Sequence, residues 1–443
     1  MGTALLTDRY ELTMLQAALA DGTADRHCVF EVFTRRLPSW RRYGVLAGTG
    51  RVLELLADFR FDAEELEWLG RERVVDSATL EFLAGYRFTG DIRGYAEGEV
   101  FFPSSPVMVV EGTFAEAVLL ETLILSVLNY DSAVASAASR MTSAAAGRPC
   151  LEMGSRRAHE QAAVAAARAA AVAGFAGTSN LEAGRRYGLR TIGTAAHAFT
   201  LLHDDEEQAF AAQVASAGPG TTLLVDTYDV TRGVERAVAI AGTGLGAVRL
   251  DSGDLGVLAQ EVRGQLDSLG ATSTRITVTS DLDEYAIASL AASPVDSYGV
   301  GTKLVTGSGA PTCGMVYKLV AREGASGTLE PVAKASTSKT SVGGRKSAAR
   351  LLDASGRAVA EVLLNGSDLD GIDPASLDPA GASLRPLHTT LATGGVVEER
   401  WTGSGGVLTA AARHAASREE LPRGARRLST GDVAIPTMSR DLH

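Results

Sequence analysis

The side chains with the most chemistry in this sequence gather at the ends of short apolar runs between Cys150 and Lys303. The densest cluster is Arg249, Asp251, Ser252, Gly253 and Asp254; Asp226 and Asp229 precede it and Asp281 follows it. Two carboxylates and a hydroxyl at one strand end suit the vicinal hydroxyls of a ribose and a Mg²⁺ ion, which prefers oxygen ligands and keeps several waters. A helix N-cap would explain Ser252 or Asp254, but not Arg249 together with Asp251. Arg156 and Arg157 end another run, where a guanidinium suits a planar carboxylate or a phosphate; of two adjacent side chains, one is expected to face away. The last run ends in Gly299-Val300-Gly301-Thr302-Lys303, a turn whose backbone can approach a phosphate closely and whose Thr302 adds a hydroxyl donor. His197 alone among seven histidines stands at such a run end, and its small neighbours Thr194, Ala195, Ala196 and Ala198 leave the imidazole open as a nucleophile or base. No cysteine or serine pairs with it in a recognisable triad order, so covalent hydrolytic catalysis is not expected.

Seven such runs follow one another, each succeeded by a helix-like stretch, and that rhythm predicts a (β/α) barrel with its chemistry at one rim. They end at Glu152-Met153-Gly154, Gly177-Thr178-Ser179-Asn180, Gly193-Thr194, Asp226-Thr227, Arg249-Leu250-Asp251, Ser280-Asp281 and Gly299-Val300-Gly301. The first hundred or so residues lack this rhythm: Thr13 to Leu19 reads as helix, His27 to Phe33 as strand, and Phe88 to Val110 as strand pieces broken by Gly and Pro. A helical segment from Ala115 to Ala146 leads into the barrel. From Lys334 a basic Ser/Lys/Gly/Arg loop precedes short strands and turns, and a final helix runs from Gly406 to Arg418. The expected division is therefore a mixed α+β domain over 1–114, completed by segments from about 335–443, and a barrel over 115–334.

The chain of 443 residues is long enough for two domains, with 45% hydrophobic and 21% charged residues. A net charge of −11 argues against nucleic acid as the main partner, while a local basic patch can still hold a small anion. Three widely spaced cysteines, Cys28, Cys150 and Cys313, imply neither a disulfide framework nor a zinc site and fit a reducing, cytoplasmic setting. The N-terminus has no secretory pattern, and the alanine-rich stretch from Gln161 to Phe175 is too short to span a bilayer.

Taken together, these strings resemble the nicotinate phosphoribosyltransferase family of type II phosphoribosyltransferases. The resemblance begins at Leu6-Thr7-Asp8-Arg9-Tyr10-Glu11-Leu12-Thr13-Met14, continues through Phe30-Glu31-Val32-Phe33-Thr34-Arg35-Arg36-Leu37-Pro38, Leu120-Glu121-Thr122 and Leu128-Asn129-Tyr130, and takes in every rim motif. It implies an α/β fold with an incomplete (β/α) barrel, a mixed α+β domain built from N- and C-terminal segments, and a head-to-tail homodimer with sites at the interface. It also implies transfer of phosphoribose from 5-phosphoribosyl 1-diphosphate to nicotinate, with Mg²⁺ and with ATP as co-substrate. His197 matches the histidine phosphorylated by ATP, with Arg156 and Asp251 completing the catalytic set. Asp8 and Tyr10 match a pair supplied by the neighbouring subunit, Tyr10 stacking on the pyridine ring; Arg156, Thr178, Asp226 and Arg249 face the base. Asp251, Ser252, Gly253, Gly301 and Thr302 match phosphoribosyl contacts, Arg36, Lys339 and Lys346 diphosphate contacts, and Asp251 with Asp281 the metal, in part through water.

This chain departs from the family pattern at three places. Ala198 stands where a serine often follows the histidine, Gly343 where the basic loop usually has proline, and Lys303 where asparagine often follows Gly-x-Gly-Thr. Nicotinate selection then leans on Arg156, Arg249 or backbone donors. A nicotinamide-using transferase and a non-catalytic nucleotide sensor are the competing readings. Quinolinate transfer would need more basic residues, and type I transferases carry paired acids where Asp226 and Asp229 lie apart.

Overall fold

A computed structural model describes residues 2–334, 342–366 and 382–441; Lys339 lies outside them. The chain divides into two compact units, one of residues 1–136 with 310–443 and one of residues 137–309. The second is shorter at both ends than the expected 115–334. The helix Glu121–Ala144 contributes its first part to the other unit, and Met315–Glu323 pairs along its length with His27–Thr34.

The 137–309 unit is built on a six-stranded parallel sheet. Its strands are Cys150–Glu152, Gly177–Thr178, Thr222–Leu224, Ala247–Leu250, Arg275–Val278 and Ser297–Val300. They are short and mostly buried, each with one half-buried or exposed residue, as strands covered on both faces tend to be. The run ending at Gly193 makes no strand. It contributes one parallel bridge, Thr178 to Thr191, and so corrects the expectation of seven strands. With that bridge counted, each run but the third neighbours the next in chain order, and the last, Ser297–Val300, pairs back onto the first. Among the described residues no pairing joins Thr191 to Thr222–Leu224. The barrel is closed where chain order wraps around and open between its third and fourth positions, the incomplete barrel that the resemblance implies.

Helices follow the strands with explicit N-caps. Asn180, Asp229, Asp254 and Asp283 each accept backbone N–H groups of the helix they open, at 2.8–3.2 Å. Asp229 and Asp254 are thus accounted for by capping.

The other unit carries a seven-stranded sheet around His27–Thr34 and Met108–Thr113, and a four-stranded sheet of Ser383–Pro386, Lys346–Leu352, Ala358–Asn365 and Thr437–Asp441. The C-terminal segments complete the N-terminal ones: His388–Thr393 pairs with Asp91–Tyr95. The C-terminal helix, Gly403–Glu420, buries His414. Burial, with Arg418 nearby, pushes that imidazole down to about 3. Its folded pKa lies below the unfolded one, so its contribution is complete above about pH 6.5 and is lost as pH falls, at up to about 1.4 kcal/mol per pH unit. Urea unfolding of the protein and of His414→Leu at pH 7 and pH 5 should show the variant losing less stability on acidification; equal losses would show that His414 is not the group responsible.

Candidate active site

A cavity of about 530 Å³ opens at the C-terminal ends of the parallel strands. Its wall holds Arg156, Arg157, His197, Arg249, Asp251, Asp281, Gly301 and Thr302, with Thr194, Ser179 and Thr279 between them. Residues separated by up to about 150 positions meet here because most lie at or just past the ends of strands of one sheet.

Arg156 and Arg157 both line the cavity, against the expectation that one would face away. The reason is local: Ser155–Arg157 is a 3₁₀ turn, closed by the Arg157 N–H donating to Gly154 O at 2.8 Å, and not an extended strand with alternating sides. Neither guanidinium makes a hydrogen bond or ion pair among the described residues. Arg249 is held differently, its Nη1 donating to the Thr194 hydroxyl. Burial lowers its pKa, with Arg156 adding to that and Asp251 and Asp226 opposing it.

The acidic groups divide into those facing the cavity and one behind it. Asp251 faces it and accepts from the Thr279 hydroxyl. Asp226 is buried: its Oδ2 accepts the Asp251 N–H and the Ser252 hydroxyl, both at 2.8 Å. Asp226 and Ser252 therefore shape the loop, with Gly253 taking the left-handed φ of +85° that the turn requires. Asp281 reaches the wall after Ser280, a non-glycine residue at φ +120°, the kind of backbone strain that accumulates at functional sites.

His197 begins a short helix at the open side of the barrel. Its Nδ1 lies 3.0 Å from the Thr227 hydroxyl and its Nε2 3.9 Å from Asp226 Oδ1. That carboxylate oxygen is buried and has no hydrogen-bond partner among the described residues. These contacts bridge the third and fourth rim loops, across the edge where the strands do not pair.

Other expected residues stand elsewhere. Thr178 is buried and donates its hydroxyl to Glu152, so it does not face the cavity. Lys346 is buried in the other unit with its ammonium 2.8 Å from Glu31, so it is not offered to an anion as expected; strand register turns it inward. Arg36, Asp8 and Tyr10 belong to that unit and are exposed. The sequence reading passed over Thr194, Thr227 and Thr279 as partners of the charged groups. For Thr279 a signal existed, since Ile276 and Val278 alternate with Thr277 and Thr279 along one strand.

Known proteins share this architecture and sequence. Residues 5–129 match the nicotinate phosphoribosyltransferase (NAPRTase) N-terminal domain. Nicotinate phosphoribosyltransferase pncB1 of Mycobacterium tuberculosis is 57% identical over 443 residues, covering 98% of this chain and 94% of that protein. The nicotinate phosphoribosyltransferase of Bacillus subtilis is 39% identical over 362 residues, covering 79% of this chain and 76% of that one. The crystal structure of human nicotinic acid phosphoribosyltransferase superposes with a TM-score of 0.82 at 26% identity, covering 99% of this chain and 97% of that one.

Proposed function

Since the chain belongs to the nicotinate phosphoribosyltransferase family, we propose that it moves a 5-phosphoribosyl group from 5-phosphoribosyl 1-diphosphate to the ring nitrogen of nicotinate. The bond from ribose C1 to the diphosphate oxygen breaks with its electron pair leaving on diphosphate, and the nitrogen lone pair forms the new C1–N bond of nicotinate mononucleotide. The observation that carries this reading is one cavity holding three guanidiniums, Arg156, Arg157 and Arg249, together with the carboxylates of Asp251 and Asp281. Guanidiniums suit the carboxylate of nicotinate and the phosphates of the donor. Asp251 suits the ribose hydroxyls and the positive charge that grows at C1 as the bond breaks, an electrostatic contribution already in place before reaction. Gly301 and Thr302 offer a turn for the 5′-phosphate. With Ala198 supplying no hydroxyl, selection of nicotinate over nicotinamide falls to the guanidiniums.

Asp251 and Asp281 form an oxygen-only donor set, which fits Mg²⁺ with its remaining positions on water and substrate; the ion would supply charge neutralisation to the diphosphate. ATP enters this proposal as a co-substrate. The bond from its γ-phosphorus to the ADP oxygen breaks and one forms to an imidazole nitrogen of His197; later attack by water returns the histidine and releases phosphate. Asp226 Oδ1, 3.9 Å from the ring, balances the positive charge that the imidazole acquires during this attack.

A second copy of the chain completes the site in this reading, contributing Asp8 and Tyr10. Support comes from Leu181, Leu201, Leu202 and Tyr228, which stand exposed just past the rim, and from Leu6, Tyr10 and Met14, exposed at the N-terminal helix. A cytoplasmic location is consistent with three buried cysteines, all free; among the described residues no helix is long and apolar enough to cross a membrane.

The test is mass spectrometry of product formed from nicotinate, 5-phosphoribosyl 1-diphosphate and Mg²⁺, with and without ATP, in the protein and in His197→Ala. Nicotinate mononucleotide whose yield rises with ATP only when His197 is present supports both parts. Equal stimulation in the variant removes the phosphohistidine, and product from nicotinamide alone, or none at all, removes the proposed reaction.

A further inference from the structure

Glu152 carries a carboxylate that the proposed chemistry does not use. It ends the first strand, is wholly buried, and among the described residues has no cationic hydrogen-bond partner. A carboxylate in that setting is costly unless each oxygen is satisfied by a donor. Here Oε1 accepts the backbone N–H of Gly154 and Oε2 the hydroxyl of Thr178. The network continues on both sides. The Thr178 hydroxyl accepts the Asn180 N–H at 2.9 Å, the Asn180 amide donates to the Ser155 hydroxyl at 3.0 Å, and the Ser179 N–H donates to the Glu152 carbonyl at 2.8 Å.

These bonds close a ring through two rim loops, Gly154–Arg157 after the first strand and Thr178–Asn180 after the second. The first loop carries the two cavity guanidiniums without a partner of their own, and the second carries Ser179, also on the cavity wall. Gly154 is packed on its other side as well: a Cβ there would lie 2.3 Å from Val305 and 3.2 Å from the Gly301 carbonyl, in the rim turn after the neighbouring strand Ser297–Val300.

We propose that Glu152 and Thr178 are a positioning pair that holds the Gly154–Arg157 turn, and hence Arg156 and Arg157, at the geometry in which they receive the anionic donor substrate. Thr178 thereby acts on ligand through Glu152 and the turn, without touching it. Burial raises the pKa of Glu152, and the two donated hydrogen bonds oppose that shift. This assignment rests on the proposed phosphoribosyl transfer for its functional half only.

Two measurements separate the halves. Hydrogen–deuterium exchange without ligand compares the protein with Thr178→Val, which has the same shape but no hydroxyl, and Thr178→Ser, which keeps it. Faster exchange in both segments, 153–157 and 178–181, in the valine variant and recovery in the serine variant are expected. Faster exchange confined to 178–181, or unchanged exchange, overturns the brace whatever the protein catalyses. In turnover assays the valine variant should show a KM for 5-phosphoribosyl 1-diphosphate raised by roughly tenfold or more, since small misplacement of binding groups is expensive, with serine restoring it. A fall in kcat with KM unchanged overturns the role in substrate binding. Wild-type protein without transferase activity removes the proposed function, while the exchange result still decides the brace. Glu152→Met, of similar length but with no acceptor for either Gly154 or Thr178, should reproduce the valine pattern if Thr178→Val fails to fold.

Discussion

Arg350→Met should destabilise the protein by about 3–5 kcal/mol, the usual cost of removing one partner from a buried charge cluster. Arg350 is wholly buried on the strand Lys346–Leu352. Its Nη1 lies 3.1 Å from Glu99, and its Nη2 donates to Glu361 at 2.5 Å and to the Val100 carbonyl at 2.6 Å. The two carboxylates do not depend on it equally. Glu99 has Arg385 at 3.0 Å and Arg413 at 3.3 Å as further partners, and its carboxyl is held below the ordinary range by its arginines despite burial. Glu361 is buried, pairs among the described residues with Arg350 alone, and has its pKa raised by that burial. The loss therefore falls on Glu361, and most of it should be recovered in Arg350→Met with Glu361→Gln, where no unpaired charge remains. Urea unfolding of the two single variants and the double variant measures this coupling. Additive losses in the double variant would show that Glu361 is not the stranded group.

Asp251→Asn should lower kcat by about 10²–10³, the range seen when one preorganised electrostatic group is removed from an active site. The substitution nearly preserves shape, because an amide oxygen can still accept from Thr279 and the backbone N–H can still donate to Asp226. What disappears is a negative charge on the cavity wall, which the proposed transfer would need most as ribose C1 becomes positive. Steady-state kinetics with nicotinate and 5-phosphoribosyl 1-diphosphate should place the loss in kcat, with thermal stability unchanged. A variant with full turnover would show that Asp251 does not carry this role, and one that loses activity only with its melting temperature would assign it to structure.

The division between what sequence and structure decide is clearest at the rim. Strand ends are legible because they are local: a few apolar residues that must be buried, followed by polar or glycine residues that cannot continue the run, mark Glu152, Asp226, Arg249, Asp251, Ser280 and Gly301. The same locality made Thr191 look like a strand equal to the others, whereas pairing depends on neighbours that the chain brings up from elsewhere, and among the described residues it finds only Thr178 there. The long helix Glu121–Ala144 was legible for its periodicity; the strand Met315–Glu323 was assigned to the barrel because nothing in its own residues names His27–Thr34 as its partner.

By itself, then, the sequence determined the family, the strand-and-helix rhythm and which residue types stand at the rim. Side-chain roles within those strings were decided only by tertiary structure. Asp226 and Asp251 are both acids at strand ends, yet one is a buried acceptor and the other faces the cavity. Thr178 and Lys346 matched site positions and proved to be satisfied inside, by Glu152 and Glu31. Arg156 and Arg157, of which one was expected to turn away, both face the cavity because the chain makes a 3₁₀ turn there. The physical reason is common to all of these. Residue type fixes what a group can donate, accept or neutralise, whereas burial and partners, which come from distant segments, fix which of those capacities is already used and which is left for a ligand.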